Sequence, residues 1–256
     1  KDSDMNKAPP DNKAEYIPIR LGTLRDGSIA SFDIYIPLSD HYVHYIKLSD
    51  TIDLERLEKL KAKGIKKLFI TRNHEDAYLK YLDEGLKQLS DQKMEVQKKA
   101  EVAHAGLVTA SENIKEAIET EEGYNRTQVQ VGKVMEFLLS EKSAVTSVVN
   151  SVGLSEDTHQ HCATVTALSL ALANSFDVKD VNHLLELGMA ALLHDVGLAD
   201  LGFDPEIPKS KMTPEQLSKY REHPELAKKM IGGKRYVSPN VLTMILDHEE
   251  IGDGKG

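Results

Sequence analysis

The segment from Leu187 to Leu193 contains only leucine, alanine, methionine and one glycine, and it ends abruptly in the pair His194-Asp195. Such a segment is typical of a buried helix. An imidazole and a carboxylate at its end would lose their hydration, which is costly unless they are paired or bind a cation. The feature therefore predicts a packed helical interior with a cation site.

Three further histidines flank this pair at intervals of about thirty residues, a spacing that suits one ligand from each of several packed helices. They are His161, His223 and His248, and Glu249 follows the last one directly. Imidazole and carboxylate ligands without cysteine indicate iron, manganese, zinc or nickel rather than a thiolate site. We therefore predict a metal centre built from these residues and His194-Asp195.

The same residues resemble the HD-GYP family, the branch of the HD phosphohydrolase superfamily associated with hydrolysis of cyclic di-GMP. Five motifs occur in the family's order between about residue 157 and residue 256. They are H-x-x-x-V at His161–Val165, A-L-L-H-D-[IV]-G at Ala191–Gly197, K-L-T-x-E at Lys211–Glu215, x-H-P at Glu222–Pro224 and H-H-E-R-x-D-G-x-G at His248–Gly256.

The resemblance implies a helical bundle that holds two divalent transition-metal ions, with iron as the first choice. Because a carboxylate has two oxygens, Asp195 can bridge two ions, and His194 beside it can hold one of them. His161 would complete the first ion's ligands, while His223 and His248 would hold the second. Asp195 and His194 are then the catalytic pair. Two such ions acidify water and neutralise phosphate oxygens, which suits phosphodiester hydrolysis.

Four features depart from the family pattern. Leu198 stands where the family has a lysine, Glu249 replaces the second histidine of its His-His pair, and Ile251 replaces an arginine. The sequence also reaches Gly256 where the family's Tyr-Pro would follow, so we expect the domain to continue beyond it. Glu249 can still bind a metal in place of the histidine, because a carboxylate reaches a divalent ion at a similar distance.

Two functions therefore stay open. One is a weak phosphodiesterase for cyclic di-GMP or a related cyclic dinucleotide. The other is a degenerate relative that binds metal, with or without nucleotide, and signals through contacts without turnover.

Three more residues are candidates for the site. Asp157 lies one turn before His161 on the same predicted helix face, which makes it a further possible metal ligand. Lys234 and Arg235 lie near the metal motifs in the sequence and are candidates for binding a substrate phosphate.

The chain is predicted to be α+β, with a small mixed α/β domain followed by an all-α HD-type bundle. We place a flexible lead-in at 1–14, the first domain at 15–90 and the helical domain at 91–256. Alternating apolar residues predict strands at 16–21, 29–36, 41–48 and 67–71. A helix capped by Asp50 or Thr51 and closed by Gly64 follows the third strand, and another begins at Glu75.

The helical domain opens with two long amphipathic helices. Apolar residues at spacings of three and four predict the first from Glu95 to Glu122, with Gly123 ending it, and the second from Thr127 to Val152. This pair either packs within the domain or forms a dimer seam. The first domain shows no ligand cluster, so we expect it to be regulatory, to bind protein partners or to support a homodimer.

Composition excludes several classes of protein. A net charge of −9 argues against binding a nucleic acid polymer, because such binding depends on clustered lysine and arginine. The single cysteine, Cys162, cannot form an internal disulfide and is typical of a reducing compartment. No apolar stretch is long enough for a membrane span. We expect a cytoplasmic protein whose partner is a cyclic dinucleotide.

Overall fold

The structure is a computed structural model. In it the chain forms two compact units, one that ends at Gln88 and one that begins at Leu89. The predicted lead-in and the last four residues of the final motif lie outside the residues it describes. The described residues are 16–38, 41–65, 67–141, 143–151 and 157–252.

The first unit is built on a four-stranded antiparallel sheet. The strands are β1 Tyr16–Arg20, β2 Ile34–Leu38, β3 His41–Ile46 and β4 Lys67–Thr71, and their order in the sheet is β1-β4-β2-β3. Strand β2 is shorter than predicted and begins at Ile34, since Ile29 makes only an isolated bridge to Thr51. It also extends past the predicted end at residue 36, and Pro37 lies within it opposite Tyr42.

Two helices complete the first unit, α1 at Leu54–Ala62 and α2 at Glu75–Lys87. The cap of α1 is Asp53, whose carboxylate accepts from the backbone N–H of Glu55, so the predicted cap at Asp50 or Thr51 is wrong. Gly64 follows α1 with a φ of 72°, a conformation that glycine adopts without strain.

The second unit is helical. The helices are α3 Val96–Glu112, α4 Ile114–Ala117, α5 Glu121–Ser140, α6 Ala144–Ser151, α7 Thr158–Ser175, α8 Val181–Leu193, α9 Pro214–Tyr220, α10 His223–Ile231 and α11 Pro239–Leu246. Helix α8 packs against α5, α7 and α11, and α3 packs against α6 and α7.

The predicted long helix from Glu95 to Glu122 is broken. It splits at Asn113, and α5 already begins at Glu121 after its cap Thr120. Gly123 therefore lies inside the first turn of α5 and does not end a helix. A Cβ on Gly123 would lie 2.3 Å from the carbonyl oxygen of Ala117, so glycine is required by close packing rather than by a turn.

The α+β class is confirmed: a small antiparallel sheet precedes a helical unit. Within the helical unit, α3 packs against α6 and α7, and α5 packs against α7 and α8. Among the helices of the described ranges, none has both the length and the apolar character needed to cross a membrane.

Candidate metal centre

The predicted ligands all lie at or near helix ends in the second unit. His161 is in the first turn of α7, and His194-Asp195 directly follows the last residue of α8. His223 is the first residue of α10, and His248 comes two residues after the end of α11. Helix ends from distant parts of the chain therefore bring these five side chains together.

The carboxylate of Asp195 lies among the four imidazoles. Its Oδ2 atom is 3.3 Å from His194 Nε2 and 3.9 Å from His161 Nε2. Its Oδ1 atom is 3.3 Å from His223 Nε2 and 3.8 Å from His248 Nε2. Each oxygen thus faces one pair of histidines. We call His161, His194 and Asp195 the first ligand group, and Asp195, His223 and His248 the second ligand group.

Three of the imidazoles are oriented by backbone carbonyls, each three residues earlier in the chain. A carbonyl can only accept, so each Nδ1 carries a proton, and in the neutral imidazole each Nε2 then presents a lone pair to the site. The pairs are His194 Nδ1 with Ala191 O at 2.8 Å, His223 Nδ1 with Tyr220 O at 2.7 Å, and His248 Nδ1 with Ile245 O at 2.7 Å.

With this tautomer, the distance between the Nε2 atoms of neighbouring histidines indicates whether the site fits a metal ion. The Nε2 atoms of His223 and His248 are only 2.9 Å apart. With both protons on Nδ1, two lone pairs face each other at that distance and repel unless a cation binds them. Imidazole nitrogens and a carboxylate are ligands that divalent transition metals prefer. The residues present therefore fit a metal ion.

The electrostatics keep Asp195 ionised. Burial by itself would raise its pKa, but the hydrogen bonds and charges of His194 and His223 outweigh burial and hold the pKa well below its ordinary value. Burial likewise opposes protonation of His194, yet its pKa is raised because Asp195 outweighs that effect. The pKa of His248 is lowered by burial and by its histidine neighbours. An ionised carboxylate surrounded by imidazoles favours a cation.

Gly197 allows the two ligand groups to approach each other. It lies in the helical turn Val196–Asp200, directly after Asp195. A Cβ there would lie 2.0 Å from the carbonyl oxygen of His223 and 2.8 Å from the backbone nitrogen of Ala227. The glycine thus lets the turn pack on the first turn of α10.

Two further predicted ligands do not belong to either group. The Glu249 carboxylate lies 3.4 Å from Lys209 Nζ. Asp157 caps α7, because its two oxygens accept from the backbone N–H and the side-chain amide of Gln160. To bind a metal ion, Glu249 would have to give up its contact with Lys209, and Asp157 its hydrogen bonds to Gln160. Their roles as metal ligands therefore stay predictions.

The two predicted phosphate contacts also differ in their surroundings. Lys234 donates to the carbonyl of Ile118 at 2.9 Å and to the Glu119 carboxylate at 3.3 Å. These hydrogen bonds hold the segment between α4 and α5 in place. Arg235 is exposed. Among the residues that the structure describes, the ion pairs of Asp195 are with histidines and include neither Lys234 nor Arg235.

A cavity of about 280 Å³ adjoins Asp195 and is lined by residues of α3, α7 and the turn after α8. Leu198 is buried and forms part of its wall, together with Leu192 and Val196. Cys162 also lines it; burial and then the charge of Asp195 raise the pKa of its thiol to about 12. Cys162 therefore remains a thiol and is a poor metal ligand.

Sequence reasoning missed two residues beside the second ligand group, Lys209 and Tyr220. The ring of Tyr220 lies 5.1 Å from that of His223, and Lys209 Nζ lies 4.5 Å from the centre of the Tyr220 ring. The only sequence signal for Tyr220 is its position three residues before His223, which places its carbonyl within reach of the imidazole.

Comparison with known proteins agrees with this geometry. Residues 134–256 match the HD domain family. A stretch of 127 residues is 33% identical to "Cyclic di-GMP phosphodiesterase PA4108" of Pseudomonas aeruginosa and covers 49% of this chain but only 30% of that protein. Among solved structures, "Bd1817, a HDG"Y"P protein from Bdellovibrio bacteriovorus" has a TM-score of 0.78 and 28% identity, over 94% of this chain and 80% of the other.

Proposed function

Since the helical unit belongs to the HD-GYP family of HD domains, we propose that this protein is a metal-dependent phosphodiesterase that hydrolyses cyclic di-GMP or a related cyclic dinucleotide. The observation that carries the proposal is the shared carboxylate of Asp195. One of its oxygens faces His161 and His194, and the other faces His223 and His248.

We propose that each ligand group holds one divalent ion, iron by preference, with manganese, zinc or nickel as alternatives. Such a pair supplies an acidified water and neutralises the charge of a phosphate. Asp195 would hold both ions together, and the carbonyls behind His194, His223 and His248 would keep the imidazoles in the tautomer that binds metal. Hydrolysis of this kind requires no Ser, Cys or Thr nucleophile.

Weak turnover is part of the proposal. Leu198 places a buried apolar side chain in the wall of the cavity beside Asp195. A cation at that position could bind a phosphate, and a charge-assisted contact contributes about 1.5–3 kcal/mol. This observation also supports the alternative of a metal-binding signalling protein without turnover.

The test is hydrolysis of cyclic di-GMP by the full chain loaded anaerobically with Fe²⁺ or Mn²⁺, followed by chromatography of the nucleotides. We expect slow turnover that is lost in Asp195→Asn and is about ten- to a hundredfold faster in Leu198→Lys. A fully metal-loaded protein with no turnover in any of these forms would favour the signalling alternative.

A further inference from the structure

Lys209 contacts two residues that adjoin the second ligand group. Its ammonium nitrogen lies 3.4 Å from a carboxylate oxygen of Glu249 and 4.5 Å from the centre of the Tyr220 ring. Glu249 directly follows His248, and Tyr220 supplies the carbonyl that holds His223. Lys209 therefore lies at the edge of the second ligand group, although it comes from a separate turn at Lys209–Lys211.

The contact between Lys209 and Glu249 is easily exchanged. The two side chains are 56% and 44% exposed, and their separation is longer than a well-formed charge-assisted hydrogen bond. Exposed ion pairs of this kind contribute little to stability. An ammonium group also has three N–H donors, so one carboxylate oxygen does not use its capacity. An arriving anion can replace Glu249 at small cost.

Two other lysines of this unit, Lys115 and Lys234, are held more firmly. Lys115 lies 2.7 Å from Asp200, and Lys234 donates to both Ile118 and Glu119. The Lys209 ammonium instead lies over the Tyr220 ring, whose face attracts a cation and limits where the lysine can go. The geometry thus positions a positive charge without neutralising it through a strong ion pair.

We propose that Lys209, supported by the Tyr220 ring, binds a phosphate group of the dinucleotide at the second ligand group, and that Glu249 holds the lysine until the phosphate replaces it. The proposal rests on the proposed function and names how the site recognises its substrate. A cyclic dinucleotide carries two phosphodiester groups. When one lies at Asp195, the other needs a separate cation, and we assign Lys209 to this phosphate, which is not cleaved.

The experiment compares Lys209→Met with Lys209→Arg and with the control Lys219→Met, in the metal-loaded full chain. Lys219 is an exposed lysine of α9 that pairs with Glu215, so its loss removes the same charge without touching the site. Two substrates are used, cyclic di-GMP and bis(p-nitrophenyl) phosphate, because the second has only one phosphate group.

We expect Lys209→Met to raise KM for cyclic di-GMP about ten- to a hundredfold with little change in kcat, because one charge-assisted contact to substrate is lost. KM for the single-phosphate ester should not change. Lys209→Arg should recover most of the affinity, and Lys219→Met should behave like the wild type. Glu249→Gln should lower KM for the dinucleotide, because the competing anion is removed.

Binding of cyclic di-GMP is also measured by calorimetry. This measurement distinguishes failure of the proposed role of Lys209 from failure of the proposed hydrolysis. Wild-type protein that binds without hydrolysis, with binding lost only in Lys209→Met, would support the inference and refute the activity. Hydrolysis with an unchanged KM in Lys209→Met, or an equal loss in Lys219→Met, would overturn the inference alone. A wild type that neither binds nor hydrolyses the dinucleotide would overturn both.

Discussion

The two ligand groups that share Asp195 are built differently. In the second group, the side chain of His223 is 1% exposed and that of His248 is 17% exposed, and both Nδ1 atoms are held by carbonyls. In the first group, the side chain of His161 is 48% exposed. Its Nδ1 has no hydrogen-bond partner among the residues that the structure describes.

This difference indicates that the second group is prepared for a metal ion, while the first group must order His161 when an ion binds. Partners that orient a ligand commonly change metal affinity by about ten- to a hundredfold. We therefore expect the second group to hold its ion more tightly. The open first group would be the side where an ion exchanges first.

The largest effect is expected at the residue that both groups share. Asp195→Ala should lower metal content from about two ions per chain to less than one and slow hydrolysis at least about a thousandfold, or roughly 4 kcal/mol. Elemental analysis and nucleotide chromatography measure the two effects. If the double variant His194→Ala with Asp195→Ala kept its full metal content, the ions would bind somewhere else.

The next prediction compares the two groups directly. His223→Ala should remove the second ion and lower the free energy of unfolding of the metal-free protein by about 1–3 kcal/mol, because it leaves buried polar partners unpaired. His161→Ala should change that free energy by less than about 0.5 kcal/mol, since its side chain is half exposed. Urea unfolding and elemental analysis after dialysis against a chelator give both values. Equal losses in the two variants would contradict the proposed asymmetry.

The contribution of His194 to the pH dependence of stability should have opposite signs without and with metal. In the metal-free protein the pKa of His194 is raised above its ordinary 6.5, so its protonation stabilises the fold below that pH. This contribution is lost as the pH rises through the folded pKa. Metal binding needs unprotonated Nε2 atoms, so affinity should rise by up to about tenfold per pH unit for each proton displaced.

Thermal unfolding at about pH 6 and about pH 8, with and without Mn²⁺, measures this sign. The stabilisation by added metal should be larger at the higher pH. A stabilisation that is the same at both values would indicate that histidines do not bind the ion.

The smallest effect concerns whether the open first group has an additional ligand. Asp157→Ser keeps a side chain that can cap α7 but removes the carboxylate. We expect unchanged metal content and stability within about 0.5 kcal/mol of the wild type, whereas Asp157→Ala should cost about 1 kcal/mol through loss of the cap. Loss of an ion in Asp157→Ser would show that Asp157 binds metal and would weaken the contrast between the groups.

The residues around Asp195 could be predicted because polar side chains follow a buried apolar segment there, which is costly unless they are paired or bind a cation. His194 and Asp195 follow an apolar run, and the spacing of the other histidines indicates separate helices. The roles of Glu249 and Asp157 were harder to predict, because residue type alone does not show which competing partner is nearer. Lys209 and Glu249 are far apart in the sequence, and no periodic pattern links them.

The fold, like the site, could be predicted from sequence patterns only in part. Apolar periodicity predicted the main helices and the antiparallel strands, but their ends depend on tertiary contacts. Gly123 would be a reasonable helix end, since glycine often closes helices. Its real function is close packing against Ala117. Pro37 lies in β2 where the strand pairs with β3 alone, which is where a residue without an N–H is tolerated.

The carbonyls that hold three of the histidines belong to the last turns of α8, α9 and α11. A helix carries roughly half a negative elementary charge at its C-terminal end. The C-terminal ends of α8, α9 and α11 therefore add negative potential at the same site. The imidazoles that are hydrogen-bonded to these ends extend this potential to their Nε2 atoms. These carbonyls therefore favour positive charge at the three imidazoles that they hold, in addition to the effect of Asp195. Replacing a ligand would then change how tightly an ion is held, while the three carbonyls would still contribute to the preference for a cation.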